Sequence, residues 1–124
     1  MRETNKILIV EDDEIISQVI EWRLNKLGYK VSGKAATGQD AITLTEETSP
    51  DAILMDITLK GDMDGIETAK IIKEKFTIPI IFLTASSDDK TLRRVIPFQP
   101  AQYLLKPFND DDLRIALWLS LGGK

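Results

Sequence analysis

The stretch Ala52-Ile53-Leu54-Met55-Asp56-Ile57-Thr58-Leu59 decides the fold. Apolar residues run without interruption into a single acid, and a loop follows. Such a run reads as a strand buried on both faces, which in a small domain means a central strand of a parallel sheet covered by helices. Asp56 then stands at the carboxyl end of that strand, the edge at which open α/β sheets bind their ligands. Asp also opens turns for purely structural reasons, so Asp56 alone assigns nothing. Three other strands deliver polar residues to the same edge, and that changes the reading.

Upstream, Ile7-Leu8-Ile9-Val10 is a second buried strand, and it ends in Glu11-Asp12-Asp13-Glu14. Ile15, Ile16, Val19, Ile20, Leu24 and Leu27 recur at helical spacing, with Gly28 placed to close the helix in a left-handed cap. Residues Tyr29 to Ala35 alternate, and Lys30 and Lys34 blunt that strand as a sheet edge. Thr37 and Asp40 have the spacing of a capping pair for a helix through Thr48 that buries Ala41 and Leu44. Ser49-Pro50-Asp51 turns the chain into the central strand.

Downstream, the loop Thr58 to Met63 leads to Asp64 and Glu67, an N-cap and its reciprocal partner for a helix through Lys75. A fourth strand, Ile78 to Leu83, carries Pro79 at its start, where a missing donor is tolerated, and ends at Thr84-Ala85-Ser86-Ser87. Asp88 and Asp89 favour the first turn of a short helix that Pro97 stops and that ends near Pro100. Gln102-Tyr103-Leu104-Leu105 is the last strand and runs into Lys106-Pro107. Asn109 with Asp112 opens a final helix that stops at Gly122-Gly123. Five strands alternating with five helices require an α/β fold, a doubly wound parallel sheet with right-handed crossovers. With the order 2-1-3-4-5 it is flavodoxin-like.

The chain has 124 residues, which predicts a single domain over residues 5–122 with no second domain. A net charge of -4 argues against direct nucleic-acid binding, which needs a basic face. Without Cys or His, disulfides, zinc sites, histidine bases and thiol nucleophiles are excluded, and any metal must be held by oxygen. The apolar run after Lys6 is too short for a signal peptide or a membrane span, which predicts a cytoplasmic protein with no membrane partner.

The strand ends collect Glu11, Asp12, Asp56, Thr84 and Lys106. With the first and third strands adjacent, three carboxylates crowd one pocket and repel unless a cation intervenes. Few hard oxygen ligands with room for water suit Mg²⁺. A carboxylate can act as nucleophile and form an aspartyl phosphate, while the metal and a lysine neutralise the transferred group. Singly, the acids at the helix start are a common helix-stabilising device, and Lys106 and Thr84 are ordinary surface residues. Their joint arrival from separate strands favours the functional reading.

The segments Ile7-Leu8-Ile9-Val10-Glu11-Asp12-Asp13, Leu54-Met55-Asp56-Ile57, Phe82-Leu83-Thr84-Ala85 and Tyr103-Leu104-Leu105-Lys106-Pro107-Phe108 resemble the receiver domain of two-component response regulators. The resemblance covers nearly the whole chain. It implies that Asp56 is the phospho-acceptor, served by a sensor histidine kinase or a histidine phosphotransfer protein. It implies Asp12 as direct Mg²⁺ ligand beside Asp56, Glu11 acting through water, and Thr58 as a backbone-carbonyl ligand. Thr84 and Tyr103 match the switch pair, Lys106 matches the phosphate-pairing lysine, and the Lys106-Pro107 bond is cis in the family. Such a domain catalyses only its own phosphorylation and dephosphorylation and is no enzyme toward an external substrate. Two departures stand out: Lys60 occupies a place often held by proline, and the loop to Gly65 is one residue longer than the common form.

The last helix has more apolar residues than one buried stripe needs, among them Leu113, Ile115, Leu117, Trp118, Leu119 and Leu121. Asp110, Arg114 and Trp118 share a face that reads either as part of a dimer or effector surface on the last two helices and last strand, or as a site with Trp118 tucked into the core. Two rival functions have residue requirements of their own, the second of them on the same architecture. A haloacid-dehalogenase-type phosphatase would need a second Asp two residues after its nucleophile, where this chain has Thr58. A flavin carrier would need a Ser/Thr/Gly phosphate loop where Glu11-Asp12-Asp13-Glu14 stands. The glycine of Asp62-Met63-Asp64-Gly65 comes too early for an EF-hand, and no Walker-type loop is present.

Overall fold

The computed structural model describes residues 5–85, 88–98 and 102–122. Strands β1 (Lys6–Val10), β2 (Lys30–Ala35), β3 (Ala52–Asp56), β4 (Ile80–Thr84) and β5 (Gln102–Leu105) alternate with helices α1 (Glu14–Lys26), α2 (Gly38–Thr48), α3 (Gly65–Lys75), α4 (Asp89–Val95) and α5 (Asp110–Ser120). The strands pair in parallel as one sheet in the order β2-β1-β3-β4-β5. The expected doubly wound sheet is therefore present, with the lysine-bearing strand at its border.

Successive side chains of a strand point to opposite faces, and here both faces are covered. Leu8, Val10, Ile53, Met55 and Phe82 pack on one side with Ala41 of α2, Ile66, Ala69 and Ile72 of α3 and Val95 of α4. Ile7, Ile9, Leu54, Ile81 and Leu83 pack on the other with Ile20 and Leu24 of α1 and Leu113, Ala116 and Leu117 of α5. This double burial is why the inner strands read as continuous apolar runs rather than alternating ones.

Helix starts follow their capping residues. Asp13 accepts the Ile15 and Ile16 amides at 2.9 and 3.1 Å, and Asp64/Glu67 and Asn109/Asp112 form reciprocal capping boxes. At α2 the Thr37 hydroxyl accepts the Asp40 amide at 3.1 Å. Gly28, at φ +92°, closes α1 in the left-handed conformation that costs a glycine no Cβ clash.

The observed elements differ from the expected ones at two places. β4 begins at Ile80, so Ile78 and Pro79 precede it, and only the Pro79 carbonyl joins the pairing by accepting the Ile53 amide at 3.0 Å. A proline has no N–H to give to a ladder. α4 ends at Val95, and Pro97 lies within a following 3-10 turn, Ile96–Phe98. Pro100, Ser86, Ser87, Gly123 and the first four residues lie outside the described residues. Among the described residues no helix is long and apolar enough to cross a membrane.

Candidate functional site

Parallel pairing brings the carboxyl ends of β1, β3, β4 and β5 to one edge. The bonds just beyond the strands hold them level: Glu11 N–H donates to Ala35 O at 2.9 Å, Ile57 N–H to Leu83 O at 2.9 Å and Lys106 N–H to Thr84 O at 2.7 Å. Glu11 and Asp56 are each 4% exposed, whereas Asp12 is half-buried. One carboxylate oxygen from each of Glu11, Asp12 and Asp56 lies within 4.8 Å of the other two. Lys106 enters the same space, its Nζ 2.8 Å from Asp56 Oδ2 and 3.0 Å from Glu11 Oε1. Thr84 ends β4 and is buried. The Lys106-Pro107 peptide bond is cis.

Burial is the main force on the Glu11 carboxyl, and a hydrogen bond with Asp56 adds to it; together they push it from 4.5 up to about 7 despite the opposing Asp13 amide and Lys106 ammonium. For Lys106, burial pulls the ammonium down, yet the hydrogen bonds and attraction of Asp56 and Glu11 outweigh it and the lysine ends above its ordinary value. One ammonium against three carboxylates leaves a surplus of negative charge in a partly buried space. The donors are all hard oxygens. That set fits Mg²⁺, which takes one or two carboxylates and keeps several waters, and Glu11, Asp12 and Asp56 are the residues that could hold it.

Thr58 is exposed, and its main chain reaches the pocket through an N–H to Asp56 Oδ1 bond of 2.9 Å. Tyr103 is half-buried on β5, opposite Phe82 in register, and packs against the core on the α3 and α4 side. Five of the expected site residues, Glu11, Asp12, Asp56, Thr84 and Lys106, are thus gathered at one edge. Tyr103 sits two residues before the Leu105 that pairs with Thr84 on β5.

Two supporting elements escaped the sequence reading. A Cβ on Gly65 would overlap the Asp56 carbonyl oxygen, so α3 begins in direct backbone contact with β3. Its signal was a glycine immediately after an N-cap acid. The Lys60 amide donates to Asp12 Oδ2 at 3.1 Å, and no side-chain pattern could announce a backbone donor.

On α5, Trp118 is 50% exposed, so it does not fill the core. Asp110 is taken up by Arg23 and Lys26 of α1 at 2.7 and 3.1 Å and is an internal tie rather than an open surface charge. Leu92, Ile96, Leu105, Ile115 and Leu119 are exposed on α4, the 3-10 turn, the end of β5 and α5.

The family model described as "Response regulator receiver domain" matches residues 7–117. The chain is 35% identical over 114 residues to the probable C4-dicarboxylate response regulator DctR of Halalkalibacterium halodurans, covering 90% of this chain and 49% of that one. It is 35% identical over 116 residues to the transcriptional regulatory protein PdtaR of Mycobacterium tuberculosis, covering 94% and 56%. The chain therefore spans about half the length of these curated relatives. Among solved structures it is similar to the signal receiver domain of a modulated diguanylate cyclase from Desulfovibrio desulfuricans G20, with TM-score 0.89, 34% identity and coverage of 96% and 94%. Sheet order, the acidic edge with its lysine, and a family match over nearly the whole chain agree: the chain belongs to the receiver domains of two-component response regulators.

Proposed function

We propose that Asp56 accepts a phosphoryl group from a histidine kinase or phosphotransfer protein in a Mg²⁺-dependent reaction, and that this switches the binding of a partner. The observation that carries the reading is the joint grip of Lys106 on Asp56 and Glu11, with Asp12 beside them. An Asp56 oxygen attacks phosphorus and an O–P bond forms as the N–P bond to the donor phosphohistidine breaks; its electron pair returns to that nitrogen, and a neutral imidazole leaves with the proton its other ring nitrogen already carried. Lys106 follows the charge onto the phosphoryl oxygens, and the Thr58 amide, already bonded to Asp56 Oδ1, orients the nucleophile. Mg²⁺, when bound by Asp12, Asp56 and the Thr58 carbonyl with Glu11 through water, supplies charge neutralisation to the same oxygens.

Thr84 and Tyr103 are the switch residues in this reading, carrying the change from the acceptor to β5. The apolar residues of α4, β5 and α5 offer the effector or dimer contact, and an apolar groove formed by Ile15, Ile16, Val19, Pro107 and Phe108 beside Lys106 offers the phosphodonor a seat. The domain acts on no external substrate. A phosphatase of the haloacid dehalogenase type finds no support, since Thr58 cannot serve as its second acid and the relatives are response regulators.

The test is incubation with acetyl phosphate and Mg²⁺, followed by intact-mass analysis. One phosphoryl group is expected on the wild type and none on Asp56→Asn. Modification at Asp13 or Asp62, or turnover of a generic phosphate ester, would overturn the assignment.

A further inference from the structure

The three pocket carboxylates are not held alike. Glu11 is fixed by Lys106 Nζ at 3.0 Å and by the Asp13 amide at 3.1 Å. Asp56 is fixed by Lys106 Nζ at 2.8 Å and by the Thr58 amide at 2.9 Å. Asp12 is half-buried, and the Lys60 amide at 3.1 Å is its one donor among the described residues.

The loop places that amide firmly. Ile57 and Leu59 are buried while Thr58 and Lys60 are exposed, so the chain leaves β3 with alternate side chains anchored. Gly61 then turns back at φ +101°, a conformation that residues with a Cβ rarely adopt. The two exposed positions aim their N–H groups inward, one at Asp56 and one at Asp12.

We propose that the Lys60 backbone amide is a positioning group for Mg²⁺: it holds Asp12 in its ligating orientation through Oδ2 and leaves Oδ1 to the ion. This rests on the Mg²⁺ reading above. A carboxylate has about four lone-pair sites, so one N–H does not exhaust it. Fixing its rotamer beforehand lowers the ordering cost of binding, as outer hydrogen bonds to metal ligands commonly do. The Lys60 side chain has no part in this. The family's frequent proline at this position could not do the same, because proline has no N–H.

The experiment compares Mg²⁺ titrations by calorimetry for the wild type, Lys60→Ala and Lys60→Pro, with Asp12→Ala as reference. Lys60→Ala keeps the amide and should bind Mg²⁺ as the wild type does. Lys60→Pro should bind about 10-fold more weakly, at the low end for loss of an outer hydrogen bond to a metal ligand. A merely structural effect of the proline would lower the metal-free melting temperature and leave the Mg²⁺ affinity alone, which would overturn the proposal. If Lys60→Pro fails to fold, amide exchange in the metal-free wild type decides. The Lys60 amide should be protected there and lose that protection in Asp12→Ala, and an unprotected amide in both proteins would overturn the proposal. Failure of the wild type itself to bind Mg²⁺ would instead sink the reading on which this rests.

Discussion

The acidic edge and the α4-β5-α5 surface sit on the same sheet, yet they are built by opposite rules. At the edge every carboxylate has a donor, and Glu11, Asp56 and Thr84 are buried. On the surface, Leu92, Ile96, Leu105, Ile115, Trp118 and Leu119 are exposed apolar side chains, each between 37% and 55% accessible. The edge spends charge inside the protein, where fixed geometry makes it chemically useful. The surface leaves apolar area outside, where another molecule can cover it. Paired charge is thus gathered in one region and open apolar area in the other, and the contrast can be attacked from either side.

The largest effect belongs to the proposed acceptor. Asp56→Asn should abolish phosphoryl uptake from acetyl phosphate, read by intact mass, while the folded state survives because the variant removes a charge from a crowded acidic space. Mg²⁺ comes next. By binding the folded state alone it should stabilise by about 2.7 kcal/mol at one hundred times Kd, read as a rise in Tm. No shift at saturating metal would break the account of the acidic edge.

Gly65→Ala should cost about 1–3 kcal/mol in urea unfolding and slow phosphorylation, because the added methyl must push α3 away from the Asp56 carbonyl. A neutral result would mean that α3 and β3 separate easily.

A smaller effect is expected from pH. The Glu11 carboxyl lies near 7 when folded against 4.5 as its ordinary value. Between those values the folded protein keeps a proton that the unfolded chain has lost, so stability in metal-free buffer should fall as pH rises through this window and level off above it. Glu11→Gln should flatten that slope, which unfolding at pH 5 and at pH 7.5 would measure; an unchanged slope would assign the effect to other groups.

Trp118→Ala is the smallest in stability, within about 0.5 kcal/mol as for other surface positions. It should nonetheless weaken self-association or partner binding by the phosphorylated form. An unchanged association profile in sedimentation would remove Trp118 from the contact surface.

The site was legible where it depended on side chains and their order along the chain. Glu11-Asp12, Asp56, Thr84 and Lys106 each follow an apolar strand, and parallel pairing leaves such residues at one edge. The tail was less legible. Trp118 admits two readings because helical spacing gives a face without saying what lies opposite it, and no pattern along α5 places Arg23 of α1 beside Asp110. The start of β4 at Ile80 is set by pairing rather than by apolarity: Ile78 is apolar enough for a strand, but Pro79 brings no donor to the pairing.

By itself the sequence determined the alternation of strands and helices, the caps, the border strand and the identity of the acidic residues, because these depend on local periodicity and on the chemistry of single side chains. Only the tertiary structure decided that Lys106 spans Asp56 and Glu11, that Gly65 touches the Asp56 backbone and that Lys60 holds Asp12 through its amide. Those are contacts through space, several of them made by backbone atoms that every residue carries, so no pattern of side chains encodes them.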